Sequence, residues 1–211
     1  MIVGRSVEGR VIEAVDLGAG DVGALVFGAI HGDEPGAAEL CHRFVNRLRR
    51  ETLMARTIVV PVANPDGLVR ATKNNAHDVD LNRNFPAKNW VREHKAGYDP
   101  GAQPLSEPES QALAALVERV QPRVIVAVHQ PLRCVNWDGP GQALAEEMAR
   151  LSGYPAVASV GYPTPGSFGS RYGVDEQRIV ITLELPRPVL DADWDACQAA
   201  LVFAAAYRLK P

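Results

Sequence analysis

Apolar residues occur along this chain in short continuous runs that alternate with stretches of helical spacing. Ala24-Leu25-Val26-Phe27-Gly28-Ala29-Ile30 completes a strand predicted over Gly23 to Ile30. Before it, Val11, Ala14, Val15 and Leu17 predict a short strand from Arg10 to Asp16, and Gly18-Ala19-Gly20-Asp21 reads as a hairpin turn joining the two. Leu40, Phe44, Val45 and Leu48 share one face of a helix predicted over Ala37 to Arg50, with Pro35 near its first turn and arginines on the opposite side. The β-branched run Thr57 to Ala63 is a further strand, ended by the turn signal Asn64-Pro65-Asp66-Gly67.

From Val69 to about Ser106 the periodicity disappears and Asn, Arg, Pro and Gly accumulate, which predicts a long functional loop. Ser106-Glu107-Pro108-Glu109 then supplies an N-cap, a first-turn proline and a capping-box Glu109 for a helix to Val120. A strand over Arg123 to Val128 ends in His129. A helix follows over Gly141 to Leu151 and a short strand over Ala156 to Val160. Gly161 to Gly173 is too polar and glycine-rich for a regular element, Ile179 to Leu185 is a strand, and Asp191 to Leu209 is the final helix. Strands alternating with helices predict an α/β fold, a mixed, mostly parallel sheet flanked by helices on both faces with working residues at strand C-terminal ends. A length of 211 residues suits a single catalytic domain over 1–211.

Composition narrows the partners. Hydrophobic residues at 46% and charged residues at 22% exclude wholesale disorder, and a net charge of −3 leaves no basic footprint for nucleic acid or an anionic membrane. Small molecules or peptides are the expected partners, and oligomerisation leaves no signature. Cys41, Cys134 and Cys197 form no CxxC pair, so neither a disulfide framework nor a thiolate zinc site is expected. The N-terminal residues lack a signal-peptide pattern and no apolar run approaches membrane-spanning length, which makes the cytoplasm the expected compartment.

The candidate chemistry sits at strand ends. His31-Gly32-Asp33-Glu34 turns from a strand into a helix, so His31 and Glu34 can converge outside the sheet; a surface histidine and a helix-start charge are the plainer reading. His129 supplies a second imidazole, and two His with one Glu make a three-ligand set that leaves zinc an open position. Glu184 interrupts an apolar strand, where it is either a solvated strand-end charge or a general base facing a zinc-activated water. In the long loop, Arg83 offers a planar fork and Asn82 an amide donor, both suited to a substrate carboxylate; the rival reading is a loop stitched to itself by Asp80 and Asn84.

Taken in order, His31-Gly-Asp-Glu34, Asn64-Pro-Asp-Gly67, Val79-Asp-Leu-Asn-Arg-Asn-Phe-Pro86, His129 and Thr182-Leu-Glu184 resemble the zinc carboxypeptidase superfamily across most of the chain. The resemblance implies one zinc ion on His31, Glu34 and His129, Glu184 as the base, and Asn82 with Arg83 on the substrate carboxylate. Gly4 to Arg10, Ser106 to Glu109 and above all Ser159-Val-Gly-Tyr-Pro-Thr-Pro-Gly-Ser-Phe-Gly-Ser170 are similar to the murein tripeptide amidases of that superfamily. These cleave the bond between γ-D-glutamate and meso-diaminopimelate, and the likeness implies that Tyr162 approaches the substrate and Phe168 floors the pocket. Two positions depart from the pattern. Lys73 replaces the arginine expected to polarise the scissile carbonyl, with Arg70 as a possible substitute cation. Gln130 replaces an expected aspartate that would read the substrate's distal ammonium. The rival functions are a deacylase of the succinylglutamate desuccinylase or aspartoacylase type and a metal-binding peptide receptor without catalysis.

Overall fold

In the computed structural model, whose described residues are 1–51 and 55–208, apolar runs become strands and amphipathic stretches become helices. The strands are β1 (Ile2–Arg5), β2 (Val11–Glu13), β3 (Val15–Leu17), β4 (Val22–Gly28), β5 (Arg56–Val60), β6 (Val124–His129), β7 (Cys134–Asp138), β8 (Ala156–Val157) and β9 (Ile179–Glu184). The α-helices are α1 (Pro35–Leu48), α2 (Pro65–Arg70), α3 (Pro108–Val120), α4 (Gln142–Ser152) and α5 (Asp191–Ala206). Seven strands form one sheet in the order β3-β5-β4-β6-β9-β7-β8, while β1 and β2 pair separately. β5, β4, β6 and β9 run parallel, and β3 and β7 are antiparallel to their neighbours β5 and β9. The mixed, mostly parallel sheet predicted from the sequence is therefore present.

Alternation along the central strands divides the apolar interior in two. Ala24 and Val26 of β4 face a core built with α1, α4 and α5, which holds Phe44, Met148 and Leu201. Leu25 and Phe27 face the other side, where α3 packs through Leu113 and Leu116 beside Phe85, Phe168 and Tyr172. Covering both faces leaves the strand C-terminal ends as the open rim, which is where the candidate residues lie. The cysteines are buried and unpaired.

Several elements differ from the sequence reading. The strand expected over Arg10 to Asp16 is two strands, β2 and β3, that belong to different sheets. Gly18 to Asp21 is not a hairpin turn between adjacent strands, because β5 lies between β3 and β4. Asn64 opens helix α2 rather than ending in a turn: its Oδ1 accepts from Gly67 N at 2.9 Å, and Pro65 takes the first helical position, where its missing N–H leaves nothing unsatisfied. Glu109 closes no capping box; its carboxylate accepts from Val7 N and Asn75 Nδ2. The end of the stretch read as loop, Gly161 to Gly173, belongs to a π-helical segment, Gly169–Asp175. Helix α5 ends at Ala206, and the predicted end at Leu209 lies outside the described residues.

Candidate metal centre and substrate cleft

The turn after β4 is shaped by a close crossing. Gly32 lies so near α2 that an added Cβ would stand 1.9 Å from the Gly67 carbonyl carbon, and Gly32 N donates to Lys73 O at 3.2 Å. Asn64 Nδ2 donates to Ile30 O at 3.2 Å, tying the same turn to the start of α2. Held this way, His31 leaves the strand end while Glu34 caps α1 positionally but gives the helix no side-chain bond. Its carboxylate turns inward instead.

There it meets both histidines. Glu34 Oε1 lies 2.8 Å from His31 Nδ1, Glu34 Oε2 lies 3.0 Å from His129 Nδ1, and the imidazole centroids are 5.0 Å apart. The three residues are buried, and one ligand atom from each lies within 4.8 Å of the others. A His-His-Glu donor set of this kind suits tetrahedral zinc with a fourth position left for water or substrate. His31 has a further partner: its Nε2 lies 3.2 Å from Asp80 Oδ1, the carboxylate–histidine arrangement that orients a metal ligand. Burial works against a charged His31, but Glu34 and Asp80 outweigh it and raise the imidazole to about 10. Burial likewise opposes a charged Glu34, yet His129 and His31 hold it down at about 2.

Glu184 stands beside this centre because β6 and β9 pair in parallel with His129 opposite Glu184. Its Oε2 accepts from Leu132 N at 3.3 Å, and burial, reinforced by Glu34 and opposed by His129, lifts its carboxyl above the usual range. That is the setting of a group that takes and returns protons.

His31, Glu34, His129 and Glu184 line one end of a cleft of about 170 Å³, together with Asn82 and Arg83. Asp80 caps the short 3-10 turn Leu81–Arg83 by accepting from Asn82 N at 2.9 Å, so one carboxylate positions both His31 and the anchor residues. Phe168 N donates to Asn82 Oδ1 at 3.0 Å; a backbone N–H can only donate, which fixes the oxygen side and leaves Asn82 its NH₂ as a donor. Arg83 is buried, its Nη1 donates to Asn82 O at 2.7 Å, and among the described residues no carboxylate pairs with it. Phe168 is both core and floor: its ring lies 4.8 Å from Phe27 and 4.5 Å from Tyr172 while it also lines the cleft. Tyr162 stands exposed at the rim, shared with a neighbouring groove that includes Tyr98 and Pro163.

Three expected substrate-side residues lie elsewhere or are otherwise engaged. Arg70 is outside the cleft and pairs with Glu8 on the surface. Lys73 is also outside its lining; Nζ donates to Asp80 Oδ2 at 2.6 Å and to Gly97 O at 3.2 Å, and it sits over the Tyr98 ring. The flexible four-carbon stem of Lys73 brings its ammonium to the buried carboxylate of Asp80 instead of the cleft. Gln130 touches the cleft, but both ends of its amide are used, Oε1 by Gly36 N at 2.9 Å and Nε2 by Pro186 O at 2.9 Å. It is a staple between α1 and the segment after β9. The sequence reading missed β7, whose Asn136 and Asp138 line the cleft; its pattern Cys-Val-Asn-Trp-Asp is too short and too polar to announce a strand.

Lys73→Met tests this placement. Asp80 would lose its ammonium partner and hold His31 less firmly, so zinc affinity should fall by roughly 10–100-fold with kcat at saturating zinc nearly unchanged. A fall in kcat of about 10²–10³ with zinc affinity intact would instead place Lys73 on the developing oxyanion.

Comparison with known proteins agrees with this geometry. A family model described as zinc carboxypeptidase matches residues 1–144. Murein peptide amidase A of Escherichia coli (strain K12) is 38% identical over 174 residues, covering 77% of this chain and 70% of that protein. Murein peptide amidase A of Vibrio campbellii (strain ATCC BAA-1116) is 35% identical over 175 residues, covering 77% and 68%. The crystal structure of murein-tripeptide amidase MpaA from Escherichia coli O157 superposes with a TM-score of 0.81 at 33% identity, covering 100% of this chain and 93% of that one. Carboxypeptidase A from Helicoverpa armigera, at 19% identity and a TM-score of 0.82 over 98% of this chain, shares the fold.

Proposed function

This chain belongs to the zinc carboxypeptidase family, and from that premise we propose that it is a murein peptide amidase. It hydrolyses the amide bond before a terminal residue with a free carboxylate, the γ-D-Glu–meso-diaminopimelate bond of a small murein peptide. The observation that carries this reading is the buried guanidinium of Arg83, which has no carboxylate partner among the described residues and lies in the same cleft as the His31–Glu34–His129 cluster. A buried, unpaired cation is unfavourable unless a ligand brings the anion, and a peptide's terminal carboxylate fits its fork.

His31, Glu34 and His129 would hold one zinc ion, which would supply a Lewis acid able to lower the pKa of water and polarise a carbonyl. The remaining work falls to the chain. Arg83 and the Asn82 NH₂ hold the terminal carboxylate and so fix the scissile bond near Glu184. Glu184 accepts the proton of the attacking water and delivers it to the departing amine, a role that suits a carboxyl raised by burial above the usual range. Phe168 gives the departing residue an apolar floor, and Tyr162 at the rim approaches the peptide. The chain acts as one catalytic domain, and its place is the cytoplasm, where peptides from cell-wall turnover are recycled.

Incubation with L-Ala-γ-D-Glu-meso-diaminopimelate tests the reading. Release of free diaminopimelate is the expected result. Hydrolysis of small N-acyl amino acids in its place would move the protein to the deacylases, and peptide binding without turnover would make it a receptor.

A further inference from the structure

The Asn82 amide offers its NH₂ to the cleft only while the Phe168 N–H holds its oxygen, so the carboxylate anchor depends on where the segment around Phe168 lies. That segment is irregular before Phe168, and the stretch that follows Arg83 grips it. Phe85 N donates to Gly166 O at 2.9 Å, and Gly166 N donates to Asn89 Oδ1 at 3.0 Å. The two stretches cross with no room for a side chain. Gly166 has φ +67°, and a Cβ there would stand 2.3 Å from Arg83 O and 2.6 Å from Trp90 Cδ1.

Asn89 spends both ends of its amide on this crossing. While its oxygen takes Gly166 N, its Nδ2 donates to Ser170 Oγ at 3.1 Å. Ser170 in turn folds the segment onto itself: its Oγ donates to Thr164 O at 3.1 Å and accepts from Ser167 Oγ at 3.0 Å, and its N–H donates to Ser167 Oγ at 3.0 Å. The Ser170 hydroxyl thus has its one donor and both acceptor sites engaged. Thr164, Ser167 and Phe168 line the cleft, and Tyr162 precedes them at its rim. Asn89 itself is exposed and lines neither the cleft nor the groove beside it. An exposed amide adds little to a core, so what its two bonds determine is where residues 164–170 sit against Asn82 and Arg83.

We propose that Asn89 is a positioning residue for the reaction. By holding Gly166 and Ser170 it keeps the Phe168 N–H on Asn82 Oδ1, and so keeps an amide donor beside Arg83 for the terminal carboxylate. The proposal rests on the amidase reading, in which Asn82 and Arg83 bind that carboxylate. Without the Asn89 amide, Gly166 N and Ser170 Oγ lose their partner and the Phe168 N–H drifts from its acceptor. The Asn82 amide is then free to turn its oxygen toward the substrate, where it repels the carboxylate. His129 and Glu184 take their positions from the sheet, and His31 and Glu34 from the turn after β4, so the chemical step is spared.

The test measures kcat and KM for L-Ala-γ-D-Glu-meso-diaminopimelate, and for the same peptide with the carboxylate beside the scissile amide converted to a carboxamide, in wild type, Asn89→Ala and Asn89→Asp. Asn89→Ala should raise KM for the free-carboxylate peptide about 10-fold and leave its kcat within about twofold of wild type. The advantage of that peptide over the carboxamide in kcat/KM should fall by the same factor, and because the ratio is taken within each variant, any loss of folded enzyme cancels. Asn89→Asp keeps an oxygen for Gly166 N and should retain the advantage within about threefold. An unchanged advantage in Asn89→Ala, with kcat lowered equally on both peptides or not at all, would make Asn89 purely structural; it overturns the proposal and leaves the amidase reading standing. A wild type that cleaves both peptides alike does the same, as does an Asn89→Asp variant as impaired as Asn89→Ala. A wild type that cleaves neither peptide overturns both.

Discussion

Glu184→Gln should lower kcat by roughly 10³- to 10⁴-fold while leaving zinc content and substrate affinity near wild type. The reasoning is geometric. Glu184 reaches the metal centre because its strand pairs residue for residue with the strand of His129, and glutamine keeps both its size and the carbonyl oxygen that accepts from Leu132 N. What glutamine cannot do is take a proton. Fold, cleft shape and the His31–Glu34–His129 cluster therefore persist, and the loss falls on the chemical step. Single-turnover kinetics with metal analysis on the same sample measures it. A variant that keeps wild-type kcat would move the proton chemistry to another group.

Arg83→Met comes next in size, with kcat/KM for the tripeptide expected to fall by about 10²–10³ as the substrate loses its charged, hydrogen-bonded partner. Methionine retains much of the aliphatic packing but removes the fork. Because Arg83 is buried with no direct ion pair among the described residues and feels only the more distant charge of Asp80, its replacement also removes a poorly compensated buried charge, so the melting temperature should hold or rise. Opposite movements of activity and stability are the mark of a residue kept for its ligand. The same variant should lose its discrimination against a peptide whose terminal carboxylate is amidated. Equal losses on the free and amidated peptides would show that Arg83 does not read the carboxylate.

The residues that converge in the candidate metal site were readable because the physics that places them is local. An apolar run buried on both faces stands out when a polar residue enters it, and in the sequence His129 closes one such run while Glu184 interrupts another one residue before its predicted end. His31 and Glu34 belong to one turn, so their convergence needs only Gly32. Arg83 was legible as a fork in a polar loop. What the sequence withheld depends on contacts between distant segments. β7 exists as a strand because β8 and β9 flank it, not because of its own pattern, and with it Asp138 and Asn136 went unread. The direction of Lys73 is set by Asp80, and that of Gln130 by Gly36 and Pro186, pairings no spacing reveals. Asn64-Pro65-Asp66-Gly67 is ambiguous in another way, since an Asn before Pro caps a helix as well as it starts a turn.

The central claim is that one zinc ion on His31, Glu34 and His129 makes this chain a peptide hydrolase. The measurement that tests it most directly is diaminopimelate release from the tripeptide as zinc is titrated back into chelator-treated protein. Neither apolar core contains any of the three ligands, so chelator-treated protein should stay folded through the titration. The account predicts no turnover at the start, a linear rise, and a break at one zinc per chain; metal-free protein as active as the zinc-loaded form, or a break at two, would contradict it.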